Sequence, residues 1–113
     1  MIGIKSYGAY LPRYLLPRNL IAKAWDFPAI PGNKTIANVD EDAITMAVEA
    51  GLDCLSDIDP KSIDGLYFAS TTPPYSEKES ASLIATVLDL RDDIICLDLT
   101  DSTKAATSAV ARA

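Results

Sequence analysis

Apolar positions recur at helical spacing in two stretches and as short continuous runs in two others, and turn residues separate them. Asp40 to Leu55 is the clearest helix: Ile44, Ala47, Val48, Leu52 and Leu55 share one face, Asp40 is placed to cap it, and Glu41 and Asp42 complement the positive end of the dipole. Ser80 to Leu90 repeats the pattern with Ala81, Ile84, Ala85 and Leu88, and Ser80 is its candidate cap. Leu66 to Ser70 and Ile94 to Leu99 read as buried-type strands, and Ile2 to Leu11 as an opening strand interrupted by Gly3 and Gly8. Arg18 to Trp25 is a short helix. Pro12 and Pro17 argue against regular structure over Leu11–Pro17, and Phe27–Val39 reads as a loop.

The last twenty residues hold the most chemistry. The strand from Ile94 enters a polar turn, Asp101-Ser102-Thr103-Lys104, and a helix of small residues, Ser102 to Ala113, follows. With few charges on any side, that helix predicts close packing all round and a central position. Strands that alternate with helices predict an α/β fold with a mostly parallel sheet.

Charge and composition narrow the function classes. The formal net charge of −6 argues against nucleic acid, which needs clustered Lys and Arg. No apolar run reaches the ~20 residues that cross a bilayer, and the start, Met1-Ile-Gly-Ile-Lys5, reads as a strand rather than a signal peptide, so the expectation is a cytoplasmic protein away from membranes. Cys54 and Cys96 lack metal-ligand spacing, so no metal is expected and two buried, reduced thiols are. There is no histidine, which removes the commonest general base. With 49% hydrophobic residues in 113, the chain is expected to bury surface against further polypeptide.

Four stretches carry a family resemblance: Gly3-Ile-Lys-Ser-Tyr-Gly-Ala-Tyr-Leu-Pro-Arg13, Asp40-Glu-Asp-Ala-Ile-Thr-Met-Ala-Val-Glu-Ala50, Asp64-Gly-Leu-Tyr-Phe-Ala-Ser-Thr71, and the turn and helix of Asp98–Ala109. In order and spacing they resemble the N-terminal part of the 3-hydroxy-3-methylglutaryl-CoA synthases of the thiolase superfamily and, more distantly, β-ketoacyl-acyl-carrier-protein synthase III. The resemblance implies a thiolase-like fold in which residues 1–113 form the first part of the N-terminal half, an incomplete half-domain. It implies a coenzyme A thioester as substrate and a homo- or hetero-oligomer. Completion would come from the rest of such a fold or from a partner subunit, and a zinc-ribbon/OB-fold protein is one such partner.

The resemblance also locates two catalytic positions, and neither is occupied by its usual residue. Thr103, with Ser102 beside it, stands where the family places a nucleophilic Cys, and Thr71 stands where it places a Glu. A Thr hydroxyl becomes a nucleophile only with an adjacent base. Ser102 and Thr103 therefore read either as a degenerate nucleophile site or as a helix cap. Thr71, Thr72 and Tyr75 read as a pocket wall or as an ordinary polar loop. Lys78 and Glu79 read as a pair or as solvated charges. Trp25 reads as an aromatic stacked on the adenine of coenzyme A, with Arg13 and Arg18 at its phosphates and Tyr75 a further coenzyme A candidate, or as an anchor at a helix end. Asp98 and Asp101 read as a carboxylate pair or as capping or solvated groups. Two functions follow: an acyl-CoA-handling protein that forms or cleaves a carbon–carbon bond next to a thioester within a larger assembly, or a catalytically inactive companion that completes a partner's fold and dimer interface.

Overall fold

The computed structural model describes residues 2–113. They fall into two compact units, one of residues 2–10 with 42–113 and one of Leu11–Glu41.

The first unit is built on a parallel pair of strands. β3 (Gly65–Ala69) and β4 (Ile95–Leu99) pair in register from Gly65↔Ile95 to Ala69↔Leu99. Successive side chains on a strand point to opposite faces, so the two faces separate cleanly. Leu66, Phe68 and Cys96 join Ile94 against α2 (Ala43–Cys54) and α3 (Ser80–Val87), where Ala81, Ile84, Ala85, Leu88 and Leu90 complete the main core. Tyr67, Ala69 and Leu99 lie on the other face, against Ala105 and Ala109 of α4 (Ala105–Arg112). Helices thus cover both faces of a parallel sheet, as the alternating pattern predicts.

α2 starts at Asp42, two residues after the expected cap Asp40. Asp42 wins because Thr45 stands three residues on and closes a capping box. The Asp42 carboxylate accepts from the N–H groups of Ile44 and Thr45, both at 2.9 Å, and Thr45 Oγ1 accepts from the Asp42 N–H at 2.9 Å. Asp42→Ala is expected to cost about 1 kcal/mol in urea unfolding, since it frees two helix donors.

The expected strand Ile2–Leu11 is not formed. An extended segment becomes a strand only when it pairs in a sheet, and among the described residues this one joins neither of the two sheets. Hydrogen bonds to the end of α2 hold it instead: Ser6 Oγ donates to the Cys54 carbonyl at 2.8 Å, and the Ala9 N–H donates to Asp53 Oδ2 at 3.0 Å. Gly8 lies so close to this helix that a Cβ there would fall 2.3 Å from the Ala50 carbonyl oxygen.

The Leu11–Glu41 unit also departs from expectation. Where the prolines argue for irregular chain, β1 (Tyr14–Pro17) pairs antiparallel with β2 (Asn33–Ile36). Pro17 sits at the strand end in a two-stranded sheet, where a missing N–H is tolerated. Helix α1 (Arg18–Trp25) spans the expected residues and buries Ala22. It ends at Asp26 in the left-handed region (φ 52°), a conformation Asp tolerates, and the Asp26 and Phe27 N–H groups both return to the Ala22 carbonyl. Gly32, at φ 103°, makes the turn into β2, and its carbonyl accepts from the Arg18 N–H at 3.0 Å.

Candidate functional site at the sheet edge

Ala69 and Leu99 are the last paired residues of neighbouring parallel strands, so the loops that follow them leave the sheet side by side at its C-terminal edge. This edge is where open α/β sheets place ligands. One further rung, Ser70 N–H to the Leu99 carbonyl at 3.1 Å, ties the start of one loop to the end of β4. Thr71 and Thr72 stand exposed after β3, and Thr100, Asp101 and Thr103 stand exposed after β4, with Ser102 half-buried. The result is a rim of hydroxyl groups. Ser70 and Thr100 belong to it too, and the sequence reading did not single them out; their position directly after two paired strands was the available signal.

Ser102 is not a helix cap. α4 begins only at Ala105, with Lys104 before it, and no side chain caps it. Ser102 Oγ accepts from the Lys104 N–H at 3.3 Å, two residues on, and the Ser102 carbonyl accepts from the Ala105 N–H. Ser102 thus makes a serine turn, and Thr103 projects from that turn rather than from the helix. Ser70 does the same beside Thr71, its Oγ accepting from the Thr72 N–H at 3.1 Å. The small residues of α4 bury one face, through Ala105 and Ala109, while Val110 is 76% exposed.

Asp98 is neither solvated nor half of a carboxylate pair. It lies on the α3 face of β4, and its two oxygens accept from the Ser80 and Ala81 N–H groups at 2.7 and 2.8 Å. The expected cap, Ser80, is instead the first residue of α3, and its fully buried Oγ has no hydrogen-bond partner. A carboxylate eighteen residues along the chain thus does the capping, favoured by the positive end of the helix. Cys96, two positions before Asp98, has its pKa raised by burial and further by the Glu79 and Asp98 carboxylates. These causes favour its neutral thiol over the nucleophilic thiolate. Both cysteines are free and half-buried.

Beside the rim lies a cleft of about 400 Å³, whose wall includes Tyr75, Lys78 and Thr100. The Lys78 ammonium sits over the Tyr75 ring, 5.1 Å from its centroid, rather than against Glu79. Thr71 and Thr103 do not line this cleft. Among the described residues, no group of three or more His, Cys, Asp and Glu side chains is placed to hold a metal, and no helix is long and apolar enough to cross a membrane.

The coenzyme A candidates of the Leu11–Glu41 unit are only partly brought together. Arg18 lines a cleft of about 430 Å³ with Ile21, Phe27, Ile30 and Lys34. Arg13 and Trp25 are not in its lining. Trp25 is 77% exposed, which excludes a core-anchor role within this unit and leaves its ring free. Lys34 lies in the expected loop Phe27–Val39, where no spacing marks it; β2 carries it to the same cleft as Arg18.

No family model matches the chain. In sequence it is similar to archaeal hydroxymethylglutaryl-CoA synthases. It is 34% identical to that of Methanocaldococcus jannaschii, over 97% of this chain and 34% of the relative. It is 36% identical to that of Pyrococcus horikoshii, over 96% of this chain and 32% of the relative. The chain therefore spans about a third of the length of the curated relatives it matches. In structure it is similar to the β-ketoacyl-[acyl carrier protein] synthase III of Thermus thermophilus, with a TM-score of 0.83 and 24% identity over 99% of this chain and 37% of the other. The HMG synthase of the curacin biosynthetic pathway gives 0.78 and 22% identity, over 94% of this chain and 28% of that one. These likenesses fix the fold as thiolase-type α/β, with the parallel pair β3–β4 at its centre in this chain. In sequence the chain thus resembles hydroxymethylglutaryl-CoA synthases over about a third of their length, and in structure it shares the thiolase-type fold of its solved neighbours.

Proposed function

We propose that residues 1–113 form part of an acyl-CoA-handling protein that makes or breaks a carbon–carbon bond next to a thioester. The observation that carries the reading is the hydroxyl rim at the C-terminal sheet edge, in a chain similar over nearly its whole length to hydroxymethylglutaryl-CoA synthases. In this reading Thr71 and Thr103, at the two family catalytic positions, bind and orient the acyl thioester through their hydroxyls. An acyl-enzyme at either hydroxyl would need a base from outside these residues, since this chain has no histidine. The bond change is then of the aldol type. In the cleavage direction a base takes the proton of a β-hydroxyl, the carbonyl forms, the carbon–carbon electron pair passes to the thioester as an enolate, and a proton quenches that enolate. The base and the proton donor come from polypeptide outside these residues, either the rest of a thiolase-like fold or a partner subunit, of which a zinc-ribbon/OB-fold protein is one form. Arg18 and Lys34, with the exposed Trp25 ring, are the groups we assign to coenzyme A, and Arg13 is a further cation in the same unit.

Isothermal titration of the protein with acetyl-CoA, acetoacetyl-CoA and free coenzyme A tests the reading. Binding weakened about ten-fold or more by Arg18→Ala is expected, since each charged contact to phosphate is worth roughly 1.5–3 kcal/mol when well made. No binding of any of the three would end the reading. A second reading, an inactive companion subunit, is favoured by exposed apolar residues on the α4 side of the sheet, Ile95 at 63%, Leu97 at 38% and Val110 at 76%. Thr103→Ala separates the two in the assembled protein. Lost turnover with intact assembly favours the acyl-CoA-handling reading, and unchanged turnover the companion.

A further inference from the structure

We propose that the Leu11–Glu41 unit docks on the surface of an anionic lipid bilayer through the outward side of α1. The inference goes beyond the acyl-CoA reading and stands apart from it, since Leu20 and Lys23, on which it turns, have no part in that reading. At 3.6 residues per turn, Leu20, Ala24, Ile21 and Trp25 form one continuous apolar arc around α1, and Lys23 and Arg18 stand at its two borders. Ala22, the residue that α1 buries, lies outside this arc. The arc therefore faces away from the unit: Leu20 is 52% exposed and Trp25 77%, Ala24 is exposed, and Ile21 alone is half-buried. A surface helix ordinarily turns its apolar side to the core. This one turns it outward, so a partner covers it.

Charge selects that partner. Residues 11–39 carry four cations, Arg13, Arg18, Lys23 and Lys34, against one carboxylate, Asp26, in a chain of net charge −6. Among the described residues, none of the four forms an ion pair. Asp40 and Glu41 close the unit, and Glu41 accepts from the Asn38 N–H. A second copy of this face would set like charges against each other. An anionic membrane supplies both missing groups: phosphates for the bordering cations and an acyl boundary for Leu20 and Trp25. The stems of Lys23 and Arg18 lie along the apolar layer while their heads stay at the headgroups. An indole suits that boundary, apolar in its ring and polar at its N–H. Cations on both borders of an apolar arc match the layering of headgroup over acyl chain, which favours lipid over an acidic protein. A helix that lies in the interface needs no bilayer-spanning length.

Trp25 is the single tryptophan of the chain, so its fluorescence reports on this face alone. The full chain is mixed with vesicles of phosphatidylcholine and with vesicles of phosphatidylcholine and phosphatidylglycerol in equal parts. Co-sedimentation with the anionic vesicles and a blue shift of Trp25 are expected, with little binding to the neutral ones. Lys23→Gln and Leu20→Gln are each expected to weaken binding about five-fold, and raised salt weakens it further. No sedimentation with anionic vesicles at low salt overturns the inference, as does equal binding to neutral ones. Binding that leaves the Trp25 spectrum unchanged also overturns it, placing the contact elsewhere. If polyglutamate shifts Trp25 and vesicles do not, the face belongs to an acidic protein instead. A Trp25 shielded from iodide before any vesicle is added overturns it too, because polypeptide then covers the arc. Each of these failures leaves the acyl-CoA reading to its own titration.

Discussion

Asp98→Ala is expected to lower the free energy of unfolding by about 3 kcal/mol, since two charge-assisted hydrogen bonds disappear and two helix donors are left unmet. The same carboxylate receives the Ser80 and Ala81 N–H groups at 2.7 and 2.8 Å, from a half-buried position on β4. Nothing nearby replaces it. Glu79 precedes the helix without capping it, and the Ser80 hydroxyl is enclosed without a partner. The loss is large against the ~5–15 kcal/mol that holds a typical domain together. Urea unfolding measures the total, and amide exchange at Ser80 and Ala81 locates it. Asp98→Asn separates charge from shape: an amide oxygen still accepts but without the favourable interaction of a carboxylate with a helix N-terminus, so about half the loss is expected. A change below 1 kcal/mol for Asp98→Ala would show that the clasp between β4 and α3 does not contribute as drawn. A loss this size would also matter for function, because the clasp fixes the end of the 71–79 loop, which carries Thr71, Tyr75 and Lys78.

Legibility in the sequence tracked how local the determining contact is. α1 was readable to the residue, and α2, α3 and both parallel strands to within a few residues, because 3.6-residue spacing and short apolar runs are properties of the segment alone. The start of α2 turned on the difference between Asp40 and Asp42, and the deciding residue, Thr45, was on the page as the third residue after Asp42. The Asp98 clasp was out of reach. It requires the register of β4 to place position 98 on the α3 face and the packing of α3 to bring its first turn there, neither of which spacing within one segment encodes. The β1–β2 pair failed for a related reason. Each strand is four residues long, too short for alternation to register, and the prolines that break a central strand are harmless at the end of an edge pair. At the candidate site, Thr71, Ser102 and Thr103 were found through family positions. Ser70, Thr100 and Lys34 emerged only when strand pairing showed which loops share an edge or a cleft.

Two glycines that meet α2 and α3 lead to opposite expectations, and the difference lies in what a new methyl group would strike. A Cβ at Gly8 would lie 2.3 Å from the Ala50 carbonyl oxygen and 2.4 Å from the Cys54 nitrogen, both backbone atoms of α2. No rotamer change relieves that collision. Either the helix end shifts, at an overpacking cost of roughly 1–3 kcal/mol, or the segment lifts away and gives up the Ser6–Cys54 and Ala9–Asp53 hydrogen bonds, at about 1 kcal/mol each. By either route Gly8→Ala is expected to cost about 2–3 kcal/mol in urea unfolding. Amide exchange at Ala9 tells the routes apart, because only lifting exposes it. At Gly51, inside α2, the atom met is Leu88 Cδ1 at 2.7 Å, the end of a side chain that can turn within the core. Removing a glycine from a helix interior returns roughly 0.5–1 kcal/mol, which offsets most of the cost of displacing Leu88. Gly51→Ala is therefore expected to change stability by less than about 1 kcal/mol. A tolerated Gly8→Ala beside a damaging Gly51→Ala would reverse the assignment of which contact is rigid, and would mean that the N-terminal segment does not lie on α2 in solution as it does in this structure.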